Sequence, residues 1–256
     1  AGTIGTITYG FQDKDGNPAK YTGLLSFEAQ IYHKVDVYEQ IVYLSNGPVE
    51  SADTRLMSIV LNNTDLVKNN VKINIYNHKE GSKDYILEGI SVPTDVWTSL
   101  RVVLDTDAKL AYVTIGDNAP VEISMDLKDD VELALGGFTT YNRYRKTASY
   151  ASYLYLDDIL VRRVVGNADP AVSGSVEPQS VKVNTPLTLD ISRLFSDADG
   201  DLLGITADKG TISSGILTYT PQSTGQDDIT LTAIDGKGGR VQYVISLTVT
   251  GNAPPK

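Results

Sequence analysis

Alternation of apolar and polar residues is the dominant pattern of this 256-residue sequence and runs almost from end to end. In the segment LLSFEAQIYHKV, Leu25, Phe27 and Ile31 fall on one side, and Glu28 and Tyr32 fall on the other. Such a period of two is typical of a β-strand with one buried face. The pattern recurs in VKINIY, WTSLRVVLD and AYVTIG, with turn-forming segments such as DKDGN and DTDAK between the runs. No segment has a convincing helical period, so we predict an all-β protein.

The composition changes near residue 165, where the segment VRRVVGNADPAVSGSVEPQS is rich in Gly, Pro, Ser and Asn. This composition favours a linker, because these residues form turns and irregular loops. We predict a first β-sandwich over residues 1–165, a linker over 166–175, a second β-sandwich over 176–251 and a connecting segment over 252–256. The second unit, at about 80 residues, has a suitable length for a seven-stranded sandwich.

Charge and cysteine content exclude several classes of function. The formal net charge of −10 disfavours nucleic acid and anionic membranes, whose binding depends on clustered Lys and Arg. The absence of cysteine excludes disulfides and zinc sites with thiolate ligands. No apolar run approaches the roughly 18 residues that a membrane-spanning helix needs. We therefore predict neither a nucleic-acid partner nor a membrane partner.

Three aspartates stand at alternate positions in the segment FSDADGDLLG. Carboxylates this close repel one another unless a cation lies among them. Ca²⁺ takes about six to eight oxygen ligands, and Asp197, Asp199 and Asp201 would supply such oxygens around a turn. Asp235 would approach the same cluster from another loop. The alternative is a solvated turn, because Asp and Gly are common turn residues.

Four short motifs follow one another in the second domain: FSDADGD, TYTP, TAIDGKGG and the exit NAPP. In this order they resemble the bacterial cadherin-like and dystroglycan-type immunoglobulin-like repeats, and the resemblance covers nearly all of residues 176–255. It implies an immunoglobulin-like β-sandwich. Such repeats commonly serve as spacers in large secreted proteins, and many bind calcium. The resemblance therefore implies Ca²⁺ as a structural ion and an extracellular or cell-surface location.

The first domain contains a SFEAQI strand, a W-x-x-L-x-V-x-L-D strand from Trp97 to Asp105, the hairpin AYVTIGDNAPVEI and a last strand YLYLDDILVRRV. This set resembles the concanavalin-like and laminin-G-like jelly-roll sandwiches that occur as carbohydrate-binding modules. The resemblance implies a jelly-roll fold and a polysaccharide ligand. Sandwiches of this shape also carry lyases and hydrolases, so the fold alone does not define the function.

No catalytic residues are predicted in this sequence. The strand signature E-x-D-x-x-E of glycosidases with this fold is missing, and the nearest segment, VDVYEQ, lacks the first Glu. An alginate-lyase-like strand needs Q-[IV]-H, whereas QIYH at residues 30–33 is one residue longer, which turns His33 to the opposite face. We expect His33 in the core and His78 in a solvated turn. The prediction is a chain without catalytic activity of its own.

The most basic and most aromatic segment of the sequence is FTTYNRYRKTASYASYLYL. Aromatic rings stack against sugar rings, and Arg or Asn hydrogen-bonds hydroxyl and carboxylate groups. We predict that a loop in this segment binds polysaccharide and that its positive charge favours anionic chains. The predicted binding residues of the loop are Tyr141, Asn142, Arg143, Tyr144 and Arg145. Tyr32 and Tyr76, on outward strand faces, form a rival platform, and Trp97 is assigned to the core.

A second calcium site is predicted in the first domain. Asp13 and Asp15 alternate in the turn DKDGN, and Asp157 lies on the last strand. First and last strands are often neighbours in such sandwiches, which would bring these carboxylates together. The alternative is a plain hairpin turn, which is the commoner meaning of an Asp-Gly pair.

These patterns predict a fragment of a secreted, bacterial, multimodular protein in which the first domain binds polysaccharide and the second is a spacer. We expect a monomer whose partners are a polysaccharide and the adjoining modules of the same parent chain. The expected parent is a glycan-degrading enzyme whose catalytic domain lies elsewhere. Two alternatives stay open: a cell-surface adhesive or structural array, and a polysaccharide lyase or hydrolase built on the first sandwich.

Overall fold

The computed structural model describes residues 5–34, 40–47, 54–61, 71–142 and 153–251. These residues form β-strands and no helix, so the chain is an all-β protein, as the alternating pattern predicts. The chain divides into two compact units, residues 1–165 and 166–256. The described residues include no helix long and apolar enough to cross a membrane.

The first unit is a sandwich of two antiparallel sheets. Its strands are β1 (Gly5–Gly10), β2 (Leu24–Lys34), β3 (Gln40–Ser45), β4 (Arg55–Leu61), β5 (Val71–Ile75), β6 (Lys83–Leu87), β7 (Thr98–Asp105), β8 (Leu110–Ile115), β9 (Val121–Ser124), β10 (Gly137–Asn142) and β11 (Tyr153–Arg163). The six-stranded sheet has the order β1-β10-β3-β4-β5-β6, and the five-stranded sheet has the order β11-β2-β7-β8-β9. Strands distant in sequence are neighbours in both sheets, as in a jelly roll.

The inner faces of the two sheets carry the apolar residues that the alternation predicts. Phe27 of β2 and Phe138 of β10 belong to opposite sheets, and their ring centroids lie 5.2 Å apart. Ile31, Ile73 and Leu104 are fully buried in the same core. Burial of one such side chain contributes about 1.5–3 kcal/mol. The core therefore fixes which face of each sheet points outward.

Strands β3 and β4 depart from the half-buried pattern. Every residue of QIVYLS in β3 is buried, and so is every residue of β4 after the first. Val42 and Leu44 belong to the main core, whereas Ile41, Tyr43 and Val60 form a separate small cluster. Alternation along the strands places that cluster on the outer face of the six-stranded sheet. The outer face of the six-stranded sheet is therefore partly covered at this cluster. A candidate site lies there.

The second unit is an immunoglobulin-like sandwich of short strands. Its strands are β12 (Ala171–Val172), β13 (Gln179–Lys182), β14 (Leu187–Asp190), β15 (Phe195–Ser196), β16 (Gly204–Ala207), β17 (Thr211–Ser213), β18 (Ile216–Tyr219), β19 (Gly225–Gln226), β20 (Ile229–Ile234), β21 (Arg240–Ile245) and β22 (Leu247–Thr250). Strand β13 pairs in parallel with β22, and the other ladders are antiparallel. Leu217, Leu231 and Leu247 are fully buried in its core.

Residues 166–175, predicted as a linker, are part of the second unit instead. Ala171 and Val172 form β12 and pair with β15. The backbone N–H of Ser173 donates to the carbonyl of Leu194, and Pro170 is buried. The Gly, Pro and Asn residues that indicated a linker therefore belong to a packed segment at the start of the second sandwich.

Candidate functional site

Four side chains meet on the outer face of the six-stranded sheet: Tyr43 of β3, Arg55 of β4, Tyr76 next to β5 and Tyr141 of β10. We call them the tyrosine–arginine cluster. The Tyr43 ring centroid lies 6.1 Å from that of Tyr76 and 6.4 Å from that of Tyr141. Arg55 Cζ lies 4.7 Å from the Tyr43 ring centroid and 5.6 Å from the Tyr76 ring centroid. The cluster is thus an aromatic surface with a guanidinium held over two rings.

A polar row continues from this cluster across the neighbouring strands. The Ser58 Oγ and the Tyr76 hydroxyl are 3.2 Å apart, and Asn74 Nδ2 donates to Ser58 Oγ at 3.0 Å. Ser58 is fully buried. Within the described part of the chain, the buried Asn74 Oδ1 has no hydrogen-bond partner. A buried acceptor without a partner costs about 1–3 kcal/mol.

Tyr43 is the buried centre of the cluster. Burial is the largest cause that raises its pKa, to about 12; the neighbouring Tyr76 adds to the rise, and the Arg55 guanidinium opposes it. The phenol is therefore neutral at physiological pH. Its hydroxyl group can therefore donate a hydrogen bond.

The predicted binding loop is only partly within the described residues. Tyr141 lies in the cluster. Asn142 is the last residue of β10 and pairs with Gln40, but its side chain lies outside the described part. Arg143, Tyr144 and Arg145 also lie outside the described residues. Arg55 and Tyr43 were not singled out by the sequence pattern, because β3 and β4 read as ordinary buried strands.

Tyr32 lies on the outer face of the other, five-stranded sheet, so Tyr32 and Tyr76 do not form one platform as predicted. Tyr32 contacts Trp97 and Tyr155, with ring centroids 5.4 Å and 5.9 Å apart. We call these three residues the aromatic row. Trp97 is 48% exposed, so its assignment to the core is wrong. Its position just before β7, where the strand leaves the core, explains the exposure.

The aspartate loop of the second unit comprises Asp197, Asp199 and Asp201. One carboxylate oxygen of each lies within 4.8 Å of the other two. Asp197 Oδ1 accepts hydrogen bonds from the backbone N–H groups of Asp199 (2.8 Å) and Asp201 (3.2 Å). Lys237 Nζ lies 2.7 Å from Asp201 Oδ1. Among the described residues, the buried atoms Asp197 Oδ2 and Asp201 Oδ2 have no hydrogen-bond partner.

Asp235 is not a member of this group of three neighbouring carboxylates. It is 4% exposed, and its Oδ1 accepts from the backbone N–H groups of Lys237 (2.7 Å) and Gly239 (3.0 Å). Its Oδ2 accepts from Asn167 Nδ2 at 2.7 Å. Both oxygens of Asp235 are therefore engaged, and the residue orients Asn167. The prediction of Asp235 as a metal ligand stays a prediction.

Asn167 is the residue that the sequence reasoning missed. Its buried Oδ1 has no hydrogen-bond partner in the described part of the chain. The next residue, Ala168, donates its backbone N–H to Asp199 Oδ2 at 2.8 Å, which fastens this segment to the aspartate loop. Carboxylate and amide oxygens without a hydrogen-bond donor are the ligands that Ca²⁺ prefers, so the donor set fits that ion chemically. The signal lay in the segment GNADP, interpreted as part of a linker.

The structure does not bring Asp13, Asp15 and Asp157 together. The first strand, β1, pairs with β10 in the six-stranded sheet, whereas Asp157 is on β11 in the other sheet. Asp13 Oδ1 accepts from the backbone N–H groups of Asn17 (3.0 Å) and Asp15 (2.8 Å), and these bonds lower the pKa of Asp13. The segment DKDGN therefore has the geometry of the plain turn that was the alternative.

The structure describes the side chain of one of the two histidines, His78. The side chain of His33 lies outside the described residues. His78 is 3% exposed, and its Nδ1 accepts from the backbone N–H of Glu80 at 3.2 Å. The expectation of a solvated His78 is wrong, because the backbone of His78 pairs with that of Leu127 and buries the ring.

Fold and sites together define a two-unit all-β protein, in which a jelly-roll-like sandwich precedes an immunoglobulin-like unit. Residues 167–248 match the family described as the bacterial Ig domain, which covers most of the second unit. This match begins at Asn167, in agreement with the structural boundary. The comparison with curated proteins finds no match.

Several solved structures align with about 60% of this chain, a length close to that of the first unit. CG-16, a homodimeric agglutinin from chicken liver, has a TM-score of 0.44 and 7% identity, over 62% of this chain and 100% of its own. Galectin-Ib of Xenopus laevis has a TM-score of 0.43 and 8% identity, over 62% and 100%. Alginate lyase A1-II′ has a TM-score of 0.43 and 12% identity, over 59% and 68%. At these values the similarities carry no conclusion about function.

Proposed function

We propose that the first unit binds an acidic polysaccharide at the tyrosine–arginine cluster. The observation that carries this proposal is Arg55, held over the rings of Tyr43 and Tyr76 on the outer face of a sheet. A guanidinium presents a planar set of N–H donors that matches a carboxylate, and stacking on rings limits its motion. The cluster therefore combines a positive charge with aromatic rings, the two kinds of group that bind acidic sugars.

The rings and the polar row supply the remaining interactions. Tyr76 and Tyr141 are only partly buried and offer aromatic faces on which a pyranose ring stacks. Asn74 and Ser58, linked by a 3.0 Å hydrogen bond, fix the position of the Tyr76 hydroxyl beside these rings. Arg143, Tyr144 and Arg145 follow Tyr141 closely in the chain and remain predicted members of the site.

The test is affinity electrophoresis of the full chain through gels that contain neutral or acidic polysaccharides. We expect retardation by an acidic polysaccharide and its loss in Arg55→Ala and Tyr76→Ala. Loss of one charge-assisted hydrogen bond, about 1.5–3 kcal/mol, corresponds to roughly 10- to 150-fold weaker binding. Lys83→Ala is the matched control, since it removes a cation from the same sheet, 5.7 Å from the Tyr85 ring centroid. Equal retardation of Arg55→Ala and Lys83→Ala would exclude the cluster as the site.

We infer that the parent protein is an extracellular bacterial glycan-degrading enzyme in which the second unit is a spacer. The match of residues 167–248 to the bacterial Ig domain supports this reading. The tyrosine–arginine cluster contains an arginine and three phenol rings, which suits binding. We therefore expect no release of reducing or unsaturated sugar ends by this chain. Such release, abolished by one substitution in the cluster, would instead favour a lyase or hydrolase.

We further propose that the aspartate loop and Asn167 hold a structural Ca²⁺. The supporting observation is the set of three buried oxygens without partners: Asp197 Oδ2, Asp201 Oδ2 and Asn167 Oδ1. A bound Ca²⁺ would supply charge compensation for the carboxylates and tie the entry of the second unit to its loop. Asp235 would keep the amide of Asn167 turned the right way through its 2.7 Å hydrogen bond.

Isothermal titration of the full chain with CaCl₂ tests this second proposal. We expect binding heat in the unmodified chain and in Glu177→Gln, an exposed control in the same unit, and none in Asp197→Asn. At 100 times the dissociation constant, Ca²⁺ should add about 2.7 kcal/mol to the stability of the second unit. No binding heat would return the loop to a solvated turn in which Lys237 is the counter-ion.

A further inference from the structure

We propose that the aromatic row of Tyr32, Trp97 and Tyr155 is a second glycan-binding surface, specific for a neutral polysaccharide. It lies on the outer face of the five-stranded sheet, on the opposite side of the sandwich from the tyrosine–arginine cluster. The proposal does not depend on the first site, because the two surfaces share no residue.

The row crosses three neighbouring strands. In the ladder between β11 and β2, Tyr155 is directly opposite Tyr32. In the ladder between β2 and β7, Ile31 is opposite Thr98, so Trp97 comes next to Tyr32. The ring centroids lie 5.9 Å and 5.4 Å apart, at interplanar angles of 62° and 49°, so the three rings pack against one another. The row is therefore one continuous aromatic surface across the three strands.

The rings are exposed but held in place. Trp97 is 48% exposed and Tyr155 is 50% exposed, although both are large and mainly apolar. The Tyr32 hydroxyl donates to Asp95 Oδ1 at 3.0 Å, and this bond raises the pKa of Tyr32. Asp95 itself has a φ of 59°, which orients its carboxylate from a tight turn before β7. A surface fixed before binding loses less conformational entropy when a ligand arrives.

The charge around the row selects the class of ligand. Asp95 lies beside Tyr32, and Asp157 shares the outer face of β11 with Tyr155 two residues away. Among the described side chains of this sheet face, Arg101 and Arg162 share the single carboxylate of Glu28, at 3.8 Å and 3.0 Å, which offsets part of their charge. Carboxylates accept hydrogen bonds from sugar hydroxyls but repel acidic chains. The ligand that fits is a neutral, hydroxyl-rich polysaccharide.

The chain provides its own reporter for this surface, since Trp97 is the single tryptophan. We would titrate the full chain with soluble neutral polysaccharides (β-glucan, galactomannan and hydroxyethyl cellulose) and follow the tryptophan emission. We expect a blue shift that saturates with one of them and is absent with polygalacturonate. Tyr155→Ala should weaken this binding at least tenfold. Tyr21→Ala, an exposed tyrosine elsewhere in the first unit, is the matched control and should bind normally.

The outcomes separate the two surfaces. Arg55→Ala should keep the response to the neutral chain, whereas Trp97→Ala should lose retardation in neutral gels and keep it in acidic gels. A tryptophan emission maximum that does not shift with any of the neutral polysaccharides would overturn the proposal. Neutral binding that survives both Trp97→Ala and Tyr155→Ala would overturn it as well. A blue shift that grows with protein concentration alone would instead assign the row to contact between copies of the chain.

Discussion

Replacement of Asp235 by alanine should destabilise the second unit more than any exposed substitution there. The carboxylate is 4% exposed and accepts three hydrogen bonds, from the backbone N–H groups of Lys237 and Gly239 and from the Asn167 amide. Alanine would leave these donors facing an apolar methyl group. The loss is local to the second unit, so the first unit should be unaffected.

The magnitude follows from the three bonds. A hydrogen bond to an ionised group contributes about 1.5–3 kcal/mol, and a buried donor left without a partner costs a similar amount. Removal of the buried carboxylate recovers part of this lost stability, because the free-energy cost of desolvating the charge disappears as well. We expect a net loss of about 3–5 kcal/mol. For a unit of this size each kcal/mol lowers the melting temperature by about 4–8 °C, so the expected shift is on the order of 20 °C.

Differential scanning calorimetry of the full chain measures this shift, and Trp97 fluorescence assigns the transitions because the single tryptophan lies in the first unit. Asp235→Asn should fall between wild type and Asp235→Ala, since one oxygen remains but an N–H₂ group then faces Asn167. Asp208→Ala is the control, because exposed Asp208 accepts one backbone bond at 2.8 Å. A shift in Asp235→Ala no larger than in Asp208→Ala would refute the reasoning.

Two further predictions concern the same unit. Hydrogen bonds from Lys209 and Tyr219 lower the pKa of Asp227. Its stabilisation is therefore complete above about pH 5 and is lost as the pH falls through the lowered pKa. Urea midpoints between pH 5 and pH 2 should fall less steeply in Asp227→Asn, and an unchanged slope would contradict this. Gly210 has a φ of 83°, and a Cβ there would collide with the Thr218 carbonyl oxygen. Gly210→Ala should cost about 2 kcal/mol or more in urea unfolding, and Gly225→Ala, with open space around its Cα, should cost less.

Strand periodicity carried most of the fold prediction. The segment VKINI buries alternate residues, as its sequence indicates, and so does FEAQIY from Phe27 to Tyr32. The sequence QIVYLS does not predict that both faces of β3 are buried. A mainly apolar run of this length does not show what covers the outer face of the strand. Tyr43 could therefore not be recognised as the centre of a surface cluster.

Pairing between distant strands decided which aromatic residues meet. Tyr32 and Tyr76 both lie at outward-facing positions. However, β2 belongs to the five-stranded sheet and β5 to the six-stranded sheet, so the two side chains lie on different faces of the sandwich. Periodicity assigns a residue to a face and not to a sheet. For the same reason the contact of Tyr76 with Tyr43 and Tyr141 follows only from the three-dimensional register.

The segment GNADP shows a different limit of sequence reasoning. Gly, Asn, Asp and Pro favour irregular backbone both in flexible linkers and in packed turns with oxygen ligands. The aspartate loop was found because its three carboxylates are adjacent in sequence. Asn167 is distant from this loop in sequence, and composition does not reveal that the next residue, Ala168, is hydrogen-bonded to Asp199.

The parallel pairing of β13 with β22 has a mechanical consequence for the second unit. The chain enters β13 at Gln179 and leaves β22 at Thr250, and these residues lie at opposite ends of the pair, since Gln179 is opposite Leu247 and Lys182 is opposite Thr250. Once the short pairing of β12 with β15 has opened, tension on the chain pulls β13 and β22 past each other along their length. The ladder hydrogen bonds are loaded together in shear, instead of one after another as in a hairpin opened from its end. A unit built in this way resists stretching until the whole ladder gives way at once.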